Sequence, residues 1–73
     1  MAKLGERLKM LRREKHMTQS QVAELLNQSL RAYQYYESCE HIPEFPNLVL
    51  LADFYDVSMD YMIGRSETRE RQP

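Results

Sequence analysis

The sequence predicts an all-α fold, a compact five-helix bundle. Apolar residues recur at spacings of three and four along most of the 73-residue chain, and this spacing places them on one face of a helix. Short motifs that typically start a helix stand between the apolar segments. No segment has the pattern of a strand, and the chain has no internal repeat. We therefore expect one small domain built from helices alone.

The first predicted helix spans the segment AKLGERLKMLRREK and ends near His16. Charged residues occupy most of its positions, and the apolar residues define one stripe, as in an amphipathic helix. The stripe consists of Leu4, Leu8, Leu11 and either Ala2 or Met10. This stripe is expected to face the core.

The second predicted helix starts in the segment MTQSQV, which contains two start signals. Thr18 and Gln21 have the spacing of a capping box, and Met17 and Val22 flank them as a hydrophobic staple. The residues assigned to the inner face of this helix are Val22, Leu25 and Leu26. Asn27, which tolerates the left-handed conformation, is expected to end it.

The third predicted helix, SLRAYQYYE, has two different faces. Ser29 is placed to act as its N-cap. Tyr33 and Tyr36 fall on the same side of the helix as Ala32, and aromatic residues at this spacing usually pack in a core. The opposite side carries Arg31, Gln34 and Tyr35. This outward side is the candidate binding surface.

Pro43 bounds the loop after the third helix, and the apolar segment NLVLLADFY predicts the fourth. Val57 and Met62 flank the N-cap Ser58 as a second staple, which starts a short fifth helix that Gly64 ends. Residues 67–73 are charged and lack an apolar face, so we expect a disordered tail after a domain of residues 1–66.

Charge is unevenly distributed along the chain, although the formal net charge is only −1. Residues 1–16 hold six Lys or Arg against two Glu, whereas residues 38–63 hold five acidic residues and no Lys or Arg. The single cysteine excludes an internal disulfide. With no secretory signal and no apolar stretch of membrane length, the sequence predicts a cytoplasmic protein without a membrane partner.

Two helices joined by the short segment LNQS have the geometry of a helix-turn-helix, whose second helix enters the major groove of DNA. Residues 4–66 resemble the lambda-repressor-like helix-turn-helix family, of the Cro/CI and xenobiotic-response-element type. The matching features, in order, are Thr18-Gln19, Ala23, the Tyr33…Tyr36-Glu37 ending, Pro43, LADFYDVS and DYMIG. The resemblance implies a sequence-specific transcriptional regulator with the helix-turn-helix at about residues 18–37 and helix 29–37 in the groove of an operator.

The resemblance also implies a role for each residue that faces DNA. Gln19 matches a phosphate contact, and the N-terminus of its helix adds partial positive charge. Arg31 is suited to O6 and N7 of guanine and Leu30 to a thymine methyl group, while Tyr35 is suited to a phosphate or a base edge. The candidate DNA-binding residues are Gln19, Ser29, Leu30, Arg31, Gln34 and Tyr35, with Gln34 nearer the phosphate backbone than the bases.

Other positions match the family or depart from it. Arg12 and Glu37 match a pair that often forms a buried salt bridge between the first and third helices. His16, Asn27 and Cys39 stand where the family most often has glycine, and His and Asn adopt left-handed conformations comparatively readily. The loop SCEHIPE has no Lys or Arg. This composition argues against phosphate contacts from residues 39–42.

No catalytic or metal site is expected, and no cofactor. Gly5 and Gly64 are the only glycines, so no glycine-rich loop can hold a phosphate group, and no nucleophile has a base at a recognisable spacing. Cys39 and His41 are too few for a zinc site. The methionines at positions 10, 17, 59 and 62 are expected to fill the core.

A single copy, with one DNA-binding motif and a weak electrostatic contribution, is expected to bind DNA poorly. We therefore expect a homodimer on two half-sites about 34 Å apart, weak in the absence of DNA. The residues expected at its seam are Met59, Tyr61, Met62 and Ile63 of the last helix. The alternative is a protein-interaction module that keeps the fold, which the acidic loop after the third helix favours.

Overall fold

The computed structural model describes residues 2–71, which form five helices and no strand. The helices are α1 (Ala2–Glu14), α2 (Gln19–Leu25), α3 (Leu30–Glu37), α4 (Phe45–Tyr55) and α5 (Met59–Met62). The all-α fold class and the five helices are confirmed. Helix α4 begins earlier than the predicted segment NLVLLADFY, because Pro46 lies in its first turn, where the missing proline N–H costs nothing.

Three helices begin at the predicted capping residues. Thr18 Oγ1 accepts from the Gln21 N–H at 3.1 Å, and Gln21 Oε1 accepts from the Thr18 N–H at 2.8 Å, which completes the capping box. Ser29 Oγ accepts from the backbone N–H of the third residue of α3 at 3.1 Å. Ser58 caps α5 in the same way at 3.0 Å. Each bond satisfies an N–H group that has no partner within its helix.

Left-handed backbone ends three of the helical segments. The φ angles of His16, Asn27 and Cys39 are 56°, 56° and 67°. For a residue with a Cβ this conformation costs about 1–2 kcal/mol, least for Asn and His. Asp56, at 55°, ends α4 in the same conformation, which the sequence analysis did not predict.

The core lies between the five helices and is almost entirely apolar. Its buried apolar residues are Leu4, Leu8, Leu11, Val22, Ala23, Leu26, Tyr33, Tyr36, Leu48, Leu51, Ala52, Tyr55, Val57, Tyr61 and Met62. The assignment of two residues to the core is wrong, because Leu25 and Met10 are each 38% exposed. Ala23 takes the place assigned to Leu25, since Val22, Ala23 and Leu26 share one side of α2. Met10 lies off the stripe that Leu4, Leu8 and Leu11 form on α1.

Gly5 lets α1 approach the C-terminal end of α3 closely. A Cβ atom added at Gly5 would lie 2.3 Å from the carbonyl oxygen of Glu37 and 2.6 Å from the Sγ atom of Cys39. Both distances are far below van der Waals contact. The close approach of these two helices therefore requires glycine at position 5.

The described part of the chain after α5 contacts the start of that helix and α1. The Ser58 N–H donates to the Arg69 carbonyl at 2.8 Å, and Ser58 Oγ donates to the Thr68 carbonyl at 3.1 Å. The Arg69 guanidinium binds Glu14 of α1 at 2.7 and 3.2 Å. Further ion pairs join Glu67 to Lys3 and Arg7, and Arg71 to Asp53. Exposed pairs of this kind contribute little stability individually; residues 72 and 73 lie outside the described residues.

None of the helices within residues 2–71 combines the length and the apolar character that crossing a membrane requires.

Replacing Gly5 by alanine should destabilise the protein. Alanine has the higher helix propensity by about 1 kcal/mol, but the added Cβ would overlap the Glu37 carbonyl, and over-packing costs about 1–3 kcal/mol. Because the overlap at 2.3 Å is with a backbone atom, the cost should lie at the upper end of this range. We therefore expect a net loss of about 1–2 kcal/mol in the free energy of unfolding, measured by urea denaturation. Glu6→Ala, at the exposed neighbouring position of α1, is the control and should change it by less than about 0.5 kcal/mol. A Gly5→Ala variant with the same free energy of unfolding as the parent would contradict the close approach of α1 to α3.

Candidate DNA-binding surface

Helices α2 and α3 form the predicted helix-turn-helix, and buried tyrosines hold α3 in place. Tyr33 is fully buried and Tyr36 is 8% exposed. Their rings meet edge to face with centroids 6.2 Å apart. The Tyr36 hydroxyl donates to Oε1 of Gln28, in the turn that precedes α3. One side of α3 is thereby fixed against the core and against the turn, and the prediction that both tyrosines belong to the core is confirmed.

The opposite side of α3 faces solvent and carries four of the predicted binding residues. We call Ser29, Leu30, Arg31 and Gln34 the outer face; all four are exposed, Leu30 at 42%. Within residues 2–71, Arg31 makes no hydrogen bond or ion pair with another side chain. The outer face therefore presents a free guanidinium beside an exposed apolar side chain.

Tyr35 was expected to face outward. It is half-buried, because the loop that follows α3 folds back over it. Its ring lies against the imidazole of His41 with centroids 4.7 Å apart. Its carbonyl oxygen accepts from the backbone N–H groups of Glu40 and His41 at 3.0 and 3.2 Å. The acidic loop is thus fixed at the C-terminal end of α3. The sequence gives no signal for the stacking of Tyr35 on His41, since the loop conformation creates it.

A bidentate ion pair between Arg12 and Glu37 joins α1 to α3. Arg12 Nε lies 2.7 Å from Glu37 Oε2, and Arg12 Nη2 lies 3.2 Å from Glu37 Oε1. The side chains are only 11% and 5% exposed. Arg12 Nη1 also donates to the carbonyl oxygen of Met17 at 2.9 Å, in the segment between α1 and α2. A single guanidinium therefore links α1, the α1–α2 connection and α3.

The ion pair stays charged over the whole physiological pH range. Burial by itself would raise the pKa of Glu37, but hydrogen bonds from Arg12 and Gln19 and the positive charge of Arg12 outweigh it, so the pKa lies below its usual value. The hydrogen bond to Glu37 likewise raises the pKa of Arg12. Burial raises the pKa of Tyr33 and that of Tyr55, the latter to about 12, so both phenols nearby remain neutral.

Gln19, the first residue of α2, bridges the ion pair and the outer face. Its Nε2 atom donates to Glu37 Oε1 at 3.1 Å, and its Oε1 atom accepts from Gln34 Nε2 at 3.2 Å. The structure therefore brings together Gln19, Gln34 and the Arg12–Glu37 pair. From the sequence, Gln19 and Gln34 were expected to contact DNA separately, and no pattern indicates the bond between them.

No group of three or more His, Cys, Asp or Glu side chains within residues 2–71 could hold a metal ion.

The family model of helix-turn-helix domains matches residues 8–62, from α1 to the end of α5. The chain belongs to the helix-turn-helix family. The lambda-repressor-like resemblance that the sequence predicted is thereby confirmed.

Named relatives and a solved structure agree with this family. The chain is 41% identical over 70 residues to the cryptic phage CTXphi transcriptional repressor RstR of Vibrio cholerae, covering 96% of this chain and 62% of that protein. It is 35% identical over 68 residues to the transcriptional regulator ImmR of Bacillus subtilis, covering 93% of this chain and 54% of that protein. The crystal structure of a transcriptional regulator from Listeria innocua matches with a TM-score of 0.80 at 36% identity, covering 84% of this chain and 57% of the other. The chain thus spans little more than half the length of each.

Removing the Glu37 side chain should destabilise the protein strongly. Glu37→Ala leaves a guanidinium that is only 11% exposed without its carboxylate, and breaking a buried pair in this way costs about 3–5 kcal/mol. Urea denaturation at neutral pH measures the loss. Glu24→Ala, which removes an exposed carboxylate from α2, is the matched control and should stay within about 0.5 kcal/mol of the parent. A Glu37→Ala variant as stable as the parent would exclude a structural role for the pair.

Low pH should reduce the stability of the protein, because it protonates the carboxylate of Glu37. Because the pKa of Glu37 is lower in the folded state than its usual 4.5, the resulting stabilisation is fully present above that pH and is lost as the pH falls through the folded-state pKa. We expect the free energy of unfolding to decrease below about pH 4.5 by up to about 1.4 kcal/mol per pH unit from this group. Carbon-13 NMR of the Glu37 side chain tests the cause, since a folded-state pKa at or above the usual value would contradict it.

Proposed function

We propose that residues 1–66 are the DNA-binding domain of a sequence-specific transcriptional regulator, with helix 29–37 in the major groove of a double-stranded DNA operator. The observation that carries this proposal is the division of α3 into two faces. Buried tyrosines fix one face, and the outer face presents Arg31 and Leu30 without a competing acidic side chain. We further propose that the protein acts in the cytoplasm and needs no cofactor.

The side chains of the candidate surface have roles suited to their chemistry. Arg31 donates two parallel hydrogen bonds to O6 and N7 of a guanine, and Leu30 contacts a thymine methyl group. Ser29 and Tyr35 reach the phosphate or the base edges next to them. Gln19 donates to a phosphate at the N-terminus of α2, where the helix dipole favours negative charge.

The electrostatic contribution to binding should be small for this class of protein. Only α1 is rich in basic residues, and three of these, Lys3, Arg7 and Arg12, are already paired with carboxylates. The loop after α3 carries Glu40 and Glu44, both exposed. We expect about two to four phosphates neutralised per subunit, which gives a shallow decrease of affinity with salt.

We also propose a homodimer on two half-sites, weak in solution and completed on DNA. The proposed seam is the last helix, but Tyr61 and Met62 are 6% and 0% exposed because they belong to the domain's own core. Met59 and Ile63 remain partly exposed on this helix. A seam of this size is too small for a stable dimer by itself.

Selection of bound duplexes from a random pool tests the function directly. We expect one enriched motif with two related half-sites and, by sedimentation, two chains on a duplex that contains both. A strictly one-to-one complex on that duplex would exclude the dimer. Failure to bind any duplex at low salt would exclude the function.

A protein-interaction module is the alternative, and one specific observation favours it. Ile42 and Phe45 are 52% and 69% exposed, and the exposed carboxylates of Glu40 and Glu44 lie beside them in the chain. Exposed apolar side chains of this size are typical of protein contacts. Phe45→Ser removes the most exposed of these apolar side chains, which is not among the candidate DNA-binding residues. If the domain's ligand is DNA, this variant should bind the selected duplex with unchanged affinity.

Truncating Arg31 should relax specificity at one base pair. Arg31→Ala removes a bidentate contact to guanine, so we expect a loss of about 1–3 kcal/mol on the best operator and little loss on a duplex mutated at that base pair. Fluorescence anisotropy on both duplexes measures the difference. Arg13→Ala removes the same charge from the exposed surface of α1 and should weaken both duplexes equally. An unchanged selected motif for Arg31→Ala would exclude the base contact.

A further inference from the structure

The loop after α3 and the start of α4 present apolar side chains with negative charge beside them. Phe45 is 69% exposed, more than any other large apolar side chain in residues 2–71, and Ile42 is 52% exposed. Glu40 and Glu44 are exposed next to them in the chain, and Glu44 makes no side-chain hydrogen bond to the helix that it caps. We call these four residues the acidic edge. Burial of its aromatic ring against a partner would remove a large apolar area from water.

Helix α1 carries an open groove on the side that faces away from the core. The groove has a volume of about 500 Å³ and is lined by Glu6, Lys9, Met10, Arg13 and Glu14. Met10, which is 38% exposed, supplies its apolar surface. Cavities of this volume accommodate drug-sized ligands, and a phenyl ring is smaller. We call this feature the α1 groove.

The α1 groove and the acidic edge are complementary in charge. Lys9 and Arg13 are exposed and pair with no carboxylate within residues 2–71. Glu14 is already paired with the guanidinium of Arg69 at 2.7 Å, which leaves Glu6 as the one unpaired carboxylate among the described residues of the groove. The groove thus presents two cations against one carboxylate, whereas the acidic edge presents two carboxylates and no Lys or Arg.

We propose that the α1 groove of one copy of the chain binds the acidic edge of a second copy. In this contact Phe45 packs on Met10, and an aromatic ring against a thioether is a favourable pair. Glu44 lies beside the cations of the groove, which are also attracted to the face of the ring. The contact uses neither the outer face of α3 nor the last helix. It therefore goes beyond the proposed function and does not depend on DNA.

A second copy is the occupant that the chain itself supplies. Every copy carries both surfaces, and the exposure of Phe45 shows that a copy does not fill its own groove. An apolar projection on one surface and a matching groove on another join like molecules through two different patches. The contact is small, so the association should be weak. Its charges lie at the surface, so salt should weaken it further.

The methyl signal of Met10 in NMR spectra reports the contact directly. A ring packed on this methyl group shifts its proton signal upfield, so the signal should move as the parent protein is raised from micromolar to millimolar concentration at low salt. Phe45→Ser removes the ring and should weaken the association by at least about tenfold, the value of burying a large apolar side chain. Leu25→Ser, which removes an apolar side chain that is 38% exposed on α2, is the control and should associate like the parent. Association through the last helix would instead move the signal of Met59 and leave that of Met10 unchanged.

Reversing one charge on each surface tests the pairing. Glu44→Lys and Arg13→Glu should each associate about two- to fivefold more weakly than the parent in sedimentation at low salt, because each places like charges together. An equimolar mixture should associate more strongly than either variant alone, because the reversed edge of one variant meets the reversed groove of the other. Glu24→Lys changes the net charge by the same amount as Glu44→Lys, but on α2, and should associate like the parent. Thermal unfolding checks that each variant is folded.

Three results would overturn the proposal. The first is a parent protein that stays monomeric at low salt, which would leave the acidic edge to a protein of different sequence. The second is a Met10 signal that moves equally in the parent and in Phe45→Ser. The third is a mixture of the charge-reversed variants that associates no more strongly than each alone. None of these results bears on the proposed DNA-binding function, which is measured with selected duplexes at protein concentrations too low for this association.

Discussion

The buried ion pair between Arg12 and Glu37 is the interaction on which the arrangement of α1, α2 and α3 depends. The guanidinium belongs to α1 and bonds to Glu37 at the end of α3 and to the Met17 carbonyl before α2. Its carboxylate also holds Gln19 at the start of α2. Burying two charges costs several kcal/mol each, so a pair of this kind is no guarantee of extra stability. Its effect is to fix geometry, because any helix arrangement that separates the partners leaves a buried charge alone.

The close packing around this pair explains why small changes nearby have large effects. Gly5 brings the backbone of α1 against the Glu37 carbonyl, while Tyr33 and Tyr36 fill the space under α3. The position of α3 relative to α2 is therefore set mainly by contacts on its inner side. Within the outer face, Ser29 caps α3 and Gln34 bonds to Gln19, whereas Leu30 and Arg31 can vary to suit a ligand without disturbing the fold.

The sequence predicted the fold more completely than the surface, for physical reasons. Capping residues such as Thr18, Ser29 and Ser58 act on their own local backbone, so their spacing alone identifies helix starts. The assignments of Leu25 and Met10 to the core failed because an apolar residue at the edge of a helix stripe can lie on either side of it. The contact between Tyr35 and His41 depends on the path of a loop, and the bond between Gln19 and Gln34 depends on the packing of two helices. Neither has a local signature in the sequence.

The distribution of charge bears on how a domain of this kind would find its operator. Non-specific affinity comes from phosphate contacts and is nearly independent of sequence, whereas base contacts distinguish one site from the rest. Glu40 follows α3 and Glu44 is the N-cap residue of α4, and in the proposed complex their charges reduce affinity for every duplex alike. Because a genome offers on the order of 10⁶ or more competing sites, occupancy of the operator depends on the ratio of specific to non-specific binding. Because the acidic loop lowers specific and non-specific affinity by the same factor, it leaves this ratio to Arg31 and Leu30 and reduces only the strength of binding.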